Sequence, residues 1–256
     1  MPDSGFLDDA APIAMAHRGF AAGGDENSMA AFARAIELGY RYVETDVRVT
    51  ADGVALAFHD ARLDRVTDRC GRIDTLSWGT VRQARIAGRE PIPRLDDVLA
   101  AWPDVRVNID VKSDAGIDPT VEAIRRTDAL SRVCVAAFST RRIAAVRGRL
   151  GPALCTALGP REALGLPWRP PARPGRFAGR CAQVPARIGV RRLVDARYVA
   201  AAHRAGAVVH VWTVNERATM VRLLDAGVDG IITDAAATLR DVLIERGQWP
   251  ARRTSA

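Results

Sequence analysis

The chain has 256 residues, and its hydrophobic fraction of 48% is enough to bury a large core in one domain. No apolar run approaches the ~20 residues that a membrane span needs, and the acidic N-terminal segment lacks the basic-then-apolar order of a secretory signal, so we expect a cytoplasmic protein. The net charge of +7 comes mainly from arginines scattered along the chain. This pattern indicates a solvated basic surface, and nucleic acid is not expected as a partner.

Lysine and cysteine are both used sparingly. Lys112 is the single lysine among many arginines, which suggests a position where a guanidinium group does not fit. The four cysteines, Cys70, Cys134, Cys155 and Cys181, lie far apart and form no Cys-x-x-Cys pair. We interpret them as small buried apolar residues, not as metal ligands or disulfide partners.

Short apolar runs alternate with amphipathic helical patterns along most of the chain. The predicted strands are 12–16, 41–47, 106–111, 132–137, 153–157, 181–184, 207–212 and 230–233. The predicted helices are 28–38, 95–101, 119–127, 141–149, 196–205 and 216–225. Nearly all-apolar strands separated by such helices are typical of a parallel sheet with its outer face covered. Eight of them favour a TIM-type (β/α)₈ barrel, and no GxGxxG or P-loop follows the first strand.

A ninth apolar run, Val54–Phe58, does not fit this alternation. The four residues 50–53 that separate it from the second strand are too few for a parallel crossover, and they contain the Asp-Gly pair typical of hairpin turns. We therefore predict a hairpin over Val47–Phe58, which returns His59 to the level of Glu44 and Asp46 at the barrel mouth.

Two irregular segments interrupt the single domain predicted for residues 1–256. Residues 61–93 lack strong periodicity and predict a small insertion after the second strand and its hairpin. Residues 159–180 are rich in proline, arginine and glycine, which predicts a long mobile loop.

Carboxylates gather at the ends of two predicted strands. Glu44 and Asp46 are two residues apart and so share one strand face, and Asn108, Asp110 and Lys112 alternate in the same way. In a barrel, such strand-end side chains point into the active-site mouth. Three converging carboxylates repel one another unless a cation neutralises them, and oxygen ligands suit Mg²⁺ or Ca²⁺.

Histidines and cationic side chains complete this cluster. His17 and Arg18 leave the first strand, and His59 ends the hairpin. Two histidines beside a cation supply a general acid and a general base near neutral pH, while Arg18 and Lys112 add positive charge for an anionic substrate. The combination indicates phosphodiester cleavage.

The remaining two histidines are interpreted as structural. His203 lies in an alanine-rich helical pattern and is expected to be a surface or packing residue. His210 alternates with Trp212 on one strand, so it is expected to face the barrel interior, where a role beneath the site stays open.

The motifs, taken in order, resemble the glycerophosphodiester phosphodiesterase family over residues 13–239, nearly the whole chain. The matching segments are Ala16-His17-Arg18-Gly19, Asp25-Glu26-Asn27-Ser28, Glu44-Thr45-Asp46-Val47, Thr50-Ala51-Asp52-Gly53, His59-Asp60, Ile92-Pro93-Arg94-Leu95, Asn108-Ile109-Asp110-Val111-Lys112, Val211-Trp212-Thr213-Val214-Asn215 and Gly227 to Asp234. Three of these segments in this order, Ala16 to Gly19, Glu44 to Val47 and His59-Asp60, are highly specific.

The resemblance implies an enzyme that hydrolyses small-molecule glycerophosphodiesters to glycerol 3-phosphate and an alcohol. It also implies that the vicinal glycerol hydroxyl attacks phosphorus and that the resulting cyclic phosphate is then hydrolysed. By the resemblance, the catalytic pair is His17 and His59, one divalent cation, Mg²⁺ or Ca²⁺, is bound by Glu44, Asp46 and Asp110, and the substrate contacts are Arg18, Lys112 and Trp212.

Three positions depart from the family pattern. Asp110 stands where glutamate is usual, and because it reaches one methylene less, we expect a changed ion affinity or identity. Asp25 replaces the usual proline, which is expected to loosen the loop before the first helix. Ala137 removes a hydroxyl usually found before the phenylalanine of this motif. None of the three deletes a catalytic group.

Two alternative functions stay open. A lysophospholipase D or related phospholipase on the same barrel would be favoured by an exposed apolar rim around residues 159–180, a segment with both apolar and arginine side chains. A catalytically silent barrel that binds polyanions through its arginines predicts a broken histidine pair or lost carboxylates, and this chain has neither. The sequence does not favour one oligomeric state over another.

Overall fold

The computed structural model describes residues 5–8, 12–21, 23–168 and 177–250. Its strands are β1 (Ile13–His17), β2 (Tyr42–Val49), β3 (Ala55–Ala57), β4 (Arg85–Ile86), β5 (Glu90–Pro91), β6 (Arg106–Val111), β7 (Val133–Ala136), β8 (Cys155–Thr156), β9 (Cys181–Pro185), β10 (Arg187–Ile188), β11 (Arg191–Arg192), β12 (Val208–Trp212) and β13 (Gly230–Thr233). Its helices are α1 (Met29–Glu37), α2 (Trp78–Val81), α3 (Leu95–Ala101), α4 (Ile117–Arg126), α5 (Thr140–Leu150), α6 (Pro160–Gly165), α7 (Ala196–Arg204), α8 (Arg217–Asp225) and α9 (Ala236–Glu245).

Parallel strands curve into a nearly closed barrel. The order around the barrel is β8, β7, β6, β2, β1, β13, β12 and β9. An isolated parallel bridge between Ala157 and Cys181 joins the two edges, and the Leu158 amide donates to the Cys181 carbonyl at 2.8 Å. Each predicted barrel strand overlaps an observed one, so the predicted (β/α)₈ barrel is confirmed.

Polar side chains cap the starts of three of the described helices. The side chains of Ser28, Ser139 and Asp195 accept hydrogen bonds from backbone amides at the starts of α1, α5 and α7. Helix α9 was not predicted, and it begins after Ala235 without a capping side chain.

Within the described ranges, no helix is both long enough and apolar enough to cross a bilayer.

The barrel interior is closed at the end opposite its mouth. Phe6 packs edge-on against Tyr42, with ring centroids 5.3 Å apart, and the Tyr42 hydroxyl donates to the Phe6 carbonyl at 2.8 Å. The interior cluster above it consists of Ile13, Met15, Cys134, Cys155, Cys181 and Ile232. Only the carboxyl ends of the strands are therefore left to form a cavity.

The predicted hairpin is confirmed by antiparallel pairing of β2 with β3. Val47 pairs with Ala57, and the Phe58 amide donates to the Asp46 carbonyl at 2.9 Å, which brings His59 back to the barrel mouth. Residues 61–93 follow as a small folded unit, and its apolar side chains form a cluster with Leu56 and Phe58 of the hairpin arm. The members from the unit are Leu63, Ile73, Val81, Ala84, Ile86 and Ile92.

The segment predicted as a long mobile loop begins with regular structure. Residues Pro160–Gly165 form α6, and a 3₁₀ turn, Leu166–Trp168, extends it. Pro160 occupies the first turn, where a missing N–H costs nothing, and the Glu162 carboxylate accepts from the Gly159 amide at 2.8 Å. The loop prediction is therefore wrong for 160–168, where a proline starts a helix despite the loop-like composition of the segment. Residues 169–176 lie outside the described residues.

Candidate active site

Strand ends and the hairpin bring the predicted polar residues into one cavity. A cavity of about 420 Å³ opens at the carboxyl ends of the barrel strands. All eight site residues predicted from the sequence line it, namely His17, Arg18, Glu44, Asp46, His59, Asp110, Lys112 and Trp212. Because β2 and β6 pair in register, Asp46 lies beside Asp110 and Glu44 beside Asn108.

His17 is held between two carboxylates. Its Nδ1 lies 2.5 Å from Asp234 Oδ1, and its Nε2 lies 3.7 Å from Glu44 Oε2. Burial lowers the pKa of His17, but the charge of Glu44 and the hydrogen bond to Asp234 raise it by more, so the pKa lies above its ordinary value. Since the Asp234 carboxylate accepts from Nδ1, Nε2 is left for proton exchange with a substrate.

Asp234 contacts a catalytic candidate but has no role among the predicted site residues. It follows β13, and the Asn215 side-chain amide fixes it by donating to Asp234 Oδ2 at 2.9 Å. Its sequence signal is a carboxylate at the end of the last barrel strand, the same kind of position that identified the other site residues.

His59 is oriented by a chain of ion pairs. Its Nδ1 lies 2.6 Å from Asp60 Oδ1, and Arg65 Nε lies 2.6 Å from Asp60 Oδ2. The hydrogen bond from Arg65 outweighs partial burial and lowers the pKa of Asp60 to about 2. Glu26 contacts both Arg65 and Arg18, at 2.6 and 2.8 Å, so the network continues to the first strand. As in His17, a carboxylate holds one ring nitrogen and leaves Nε2 for chemistry.

Lys112 and Arg18 neutralise part of the carboxylate cluster. Lys112 Nζ lies 2.7 Å from Asp46 Oδ1 and 2.6 Å from Asp110 Oδ2, while Arg18 Nε lies 3.0 Å from Asp46 Oδ2. Burial raises the pKa of Asp46, but Lys112 and Arg18 lower it by more. Burial and the neighbouring Asp46 raise the pKa of Glu44, and burial raises that of Asp110 despite Lys112. Three carboxylates facing two permanently charged side chains leave the cluster with an excess of negative charge.

The donor chemistry of this cluster fits a hard divalent cation. Glu44, Asp46 and Asp110 are buried and offer only oxygen atoms. Asp110 Oδ1 is buried and has no hydrogen-bond partner among the described residues, which is costly unless an ion or water satisfies it. Among the described residues, ligand oxygens of Glu44, Asp46 and Asp110 do not all lie within 4.8 Å of one another, so these side chains must move closer together to share one ion.

The substitution Asp110→Asn tests the unpartnered oxygen. It removes a ligand charge, and we expect it to weaken cation affinity more than it changes the substrate KM at saturating cation. Titration of activity with Mg²⁺ and with Ca²⁺ measures both quantities. An unchanged cation requirement in this variant would contradict Asp110 as a ligand.

The substitution Lys112→Arg tests the single lysine. A compact ammonium bridges Asp46 and Asp110, and a planar guanidinium does not fit between them in the same way. We expect a sharp loss of activity although the charge is kept. Arg240→Lys, at an ion pair with Asp241 on the outer helix α9, is the matched control and should leave kinetics unchanged. Wild-type kinetics for Lys112→Arg would show that the position requires charge alone.

One side of the cavity is apolar. Trp212 packs edge-on against Phe138, with ring centroids 5.6 Å apart, and the Phe138 side chain is 68% exposed at the rim. The remaining apolar lining comes from Leu158, Pro160, Ala163, Leu164, Val184, Pro185 and Ile188. The cavity therefore has a charged pole beside β1, β2 and β6 and an apolar wall beside β8 and β9.

The loop before α1 is firmly held, contrary to the expectation that Asp25 loosens it. Asp25 is fully buried, and Arg34 Nη2 donates to both of its carboxylate oxygens at 2.7 and 2.8 Å. Asn27 then donates to Asp46 Oδ2 at 3.2 Å and accepts from Thr45 at 2.7 Å. An ion pair replaces the rigidity that proline would give, and the loop holds Asp46 in place through the hydrogen bond from Asn27.

Comparisons with known proteins point to one family. Residues 17–238 match the glycerophosphoryl diester phosphodiesterase family. The probable glycerophosphodiester phosphodiesterase 2 of Mycobacterium tuberculosis is 44% identical over 97% of both chains. A glycerophosphodiester phosphodiesterase of Caldanaerobacter subterraneus is 31% identical over 92% of this chain and 99% of its own.

Solved structures share the fold at lower identity. A glycerophosphodiester phosphodiesterase from Parabacteroides distasonis superposes with a TM-score of 0.76 at 22% identity, over 94% of this chain and 100% of its own. A phosphodiesterase from Oleispira antarctica gives a TM-score of 0.74 at 20% identity, over 91% and 97% of the two chains.

Proposed function

The chain is a member of the glycerophosphodiester phosphodiesterase family, and on that premise we propose that it hydrolyses glycerophosphodiesters to glycerol 3-phosphate and an alcohol through His17 and His59. The observation that carries the proposal is the matched environment of the two histidines. Each lies at the same cavity, and each has Nδ1 bonded to a carboxylate, Asp234 or Asp60. The Oleispira antarctica structure holds sn-glycerol-3-phosphate as product, which supports this choice of product.

The two histidines divide the proton transfers between them. One accepts the proton of the vicinal glycerol hydroxyl as that oxygen attacks phosphorus, and the other donates a proton to the departing alcohol. The cyclic phosphate is then opened by water, with the proton transfers reversed. Asp234 and Asp60 hold the two rings in the tautomer that presents Nε2 and stabilise each imidazolium as it forms.

Positively charged groups at the charged pole of the cavity bind the phosphodiester. Arg18 and Lys112 line the cavity beside the carboxylates and face the anionic substrate. Glu44, Asp46 and Asp110 would hold the divalent cation, Mg²⁺ or Ca²⁺, which supplies Lewis-acid stabilisation of negative charge on the phosphoryl group when bound. Trp212 would pack against the glycerol end.

Turnover of a substrate panel tests this function. Glycerophosphocholine, glycerophosphoethanolamine and glycerophosphoglycerol are incubated with Mg²⁺, Ca²⁺ or EDTA, and glycerol 3-phosphate is assayed. Release of glycerol 3-phosphate that depends on a cation supports the proposal, and absence of turnover with every substrate and both ions would overturn it.

A second candidate function is a lysophospholipase D activity, and the apolar wall favours it. Ile188 lines this wall and is 52% exposed, and Val190, at the tip of the β10–β11 hairpin, is 86% exposed. Arg187, Arg191 and Arg192 are exposed on the same hairpin. An exposed apolar tip with flanking arginines at a cavity mouth suits an acyl chain on an anionic phospholipid.

The substitution Ile188→Ser separates the two candidates. If the wall holds an acyl chain, kcat/KM for a lysophospholipid should fall by roughly 10–150-fold, the usual worth of one buried apolar side chain, while kcat/KM for glycerophosphoethanolamine stays unchanged. Ile244→Ser, at an equally exposed isoleucine (53%) on α9, is the matched control. An equal change with both substrates would contradict an acyl-chain site.

The other alternative, a silent polyanion-binding barrel, has no support at this site. It required a broken histidine pair or lost carboxylates, and all of these groups line the cavity. The chain is an enzyme of this family, and several of its arginines pair with carboxylates such as Asp96 and Asp114.

A further inference from the structure

Three of the four cysteines meet inside the barrel, beneath the active-site cavity. Cys134, Cys155 and Cys181 lie on the neighbouring strands β7, β8 and β9, and their sulfur atoms all lie within 4.8 Å of one another. Cys181 Sγ is 3.9 Å from Cys134 Sγ and 3.7 Å from Cys155 Sγ. All three side chains are at most 1% exposed. The sequence interpretation of buried cysteines holds for these three, while Cys70 is exposed.

The position of this thiol triad in the barrel follows from the two-residue period of a strand. Residues two positions further along each strand line the active-site cavity, namely Ala136, Ala157 and Gln183. The triad is therefore the layer directly under the cavity floor. Gln183 closes this floor, because its amide nitrogen lies 3.9 Å from Cys134 Sγ and 2.8 Å from Asn108 Oδ1.

His210 is a fourth candidate ligand one step above the thiols, because it pairs with Gln183 while Val208 pairs with Cys181. Its ring nitrogens do not lie within 4.8 Å of all three sulfur atoms, so the ring must turn toward them to bind the same ion. His210 alternates on β12 with Val208 and Trp212, both of which pack against the cluster that contains the thiols, so its side chain is on the interior face. The residue is fully buried, and neither ring nitrogen has a hydrogen-bond partner among the described residues. Burial lowers the pKa of His210 to about 4, so the imidazole is neutral, the form that binds metals.

An imidazole with two unsatisfied nitrogens in a dry interior carries a free-energy cost that apolar packing does not remove. A phenylalanine or leucine would fill the same space without that cost. Three thiols and one imidazole are, in contrast, the donor set of a Cys₃His site, which binds Zn²⁺ tetrahedrally. Such soft donors also differ in kind from the oxygen donors at the cavity above them.

We propose that Cys134, Cys155, Cys181 and His210 form a buried binding site for a thiophilic transition metal ion, with Zn²⁺ as its expected occupant. The ion replaces the three thiol protons, which pass to solvent as three sulfur–metal bonds form, and the imidazole supplies the fourth ligand without losing a proton. Because the layer is closed on all sides, the ion is taken up as the barrel folds. It would tie β7, β8, β9 and β12 together at the place where the barrel closes with a single bridge.

Cobalt is the probe, because thiolate ligands give Co²⁺ an intense near-ultraviolet charge-transfer band that oxygen ligands do not give. The full chain is unfolded in denaturant with reductant, refolded with Co²⁺, and passed through a desalting column with EDTA. We expect a charge-transfer band and one retained ion per chain in native mass spectrometry. The same experiment with Zn²⁺ should leave one retained Zn²⁺ and no band.

Variants assign the signal to the triad. Cys181→Ser removes the sulfur that contacts both others and should abolish the band and the retained ion, whereas Cys70→Ser, at the exposed cysteine, should keep both. Asp46→Asn, at the oxygen site, should also keep the band. If Cys181→Ser does not fold, the wild-type chain still decides the matter. A folded wild-type chain that retains no ion and shows no thiolate band would overturn the proposal, as would a band that persists in folded Cys181→Ser.

Discussion

Replacement of either cavity histidine by alanine is expected to lower kcat by roughly 10²–10⁴-fold, the usual worth of a positioned acid or base. His17 and His59 each offer one ring nitrogen to the cavity while a carboxylate holds the other. Their loss removes a proton-transfer group and leaves the phosphate-binding charges in place, so KM should change much less. Steady-state kinetics on the best glycerophosphodiester of the panel measures both constants.

The matched control for these variants is His203→Ala. His203 also bonds a carboxylate, Asp229, at 2.7 Å, but it lies on α7 outside the barrel. Its removal should leave kcat unchanged. Thermal unfolding should show all three variants folded, because His17 and His59 lie at the solvent-reached mouth and fill no core position. Near-wild-type turnover in either cavity variant would show that this histidine transfers no proton.

Removal of divalent cations is expected to abolish activity, and either Mg²⁺ or Ca²⁺ should restore it. The physical reason is the excess of negative charge that Lys112 and Arg18 leave at Glu44 and Asp110, together with the unpartnered Asp110 oxygen. A cation satisfies both. The measurement is turnover after dialysis against EDTA, followed by titration with each ion.

Thermal unfolding in EDTA is the control for this second experiment. Because the ammonium of Lys112 already bridges Asp46 and Asp110, the fold should survive chelation, and loss of activity should occur without loss of the folded state. Full activity after dialysis, with no Mg²⁺ or Ca²⁺ retained in elemental analysis, would contradict the assignment of Glu44, Asp46 and Asp110.

Most of the barrel and its site could be predicted from the sequence because their signals are local. An apolar strand with a two-residue period places Glu44 beside Asp46 and Asp110 beside Lys112 without any knowledge of distant residues. The hairpin turn at Asp52 is equally local. These local patterns explain why every predicted site residue lines the cavity.

The features that escaped prediction depend on contacts between distant parts of the chain. Asp234 meets His17 across 217 residues, and the thiols of Cys134 and Cys181 are 47 residues apart, so spacing gave no sign of either contact. Asp25 holds its loop through Arg34, which lies nine residues later. This partner cannot be identified before α1 folds and brings Arg34 to Asp25, so the sequence predicts a loosened loop instead. In α6, a proline at the first turn was indistinguishable from one in a loop.

The most direct test of the proposed chemistry is a ³¹P NMR time course of glycerophosphocholine hydrolysis with Mg²⁺ present. The two proposed proton transfers and attack by the vicinal hydroxyl predict that glycerol 3-phosphate accumulates as the phosphorus-containing end product, preceded by a transient cyclic glycerol phosphate. In His59→Ala, both signals should appear more slowly by the factor lost in kcat. Accumulation of phosphocholine, which requires cleavage on the other side of phosphorus, would contradict the account.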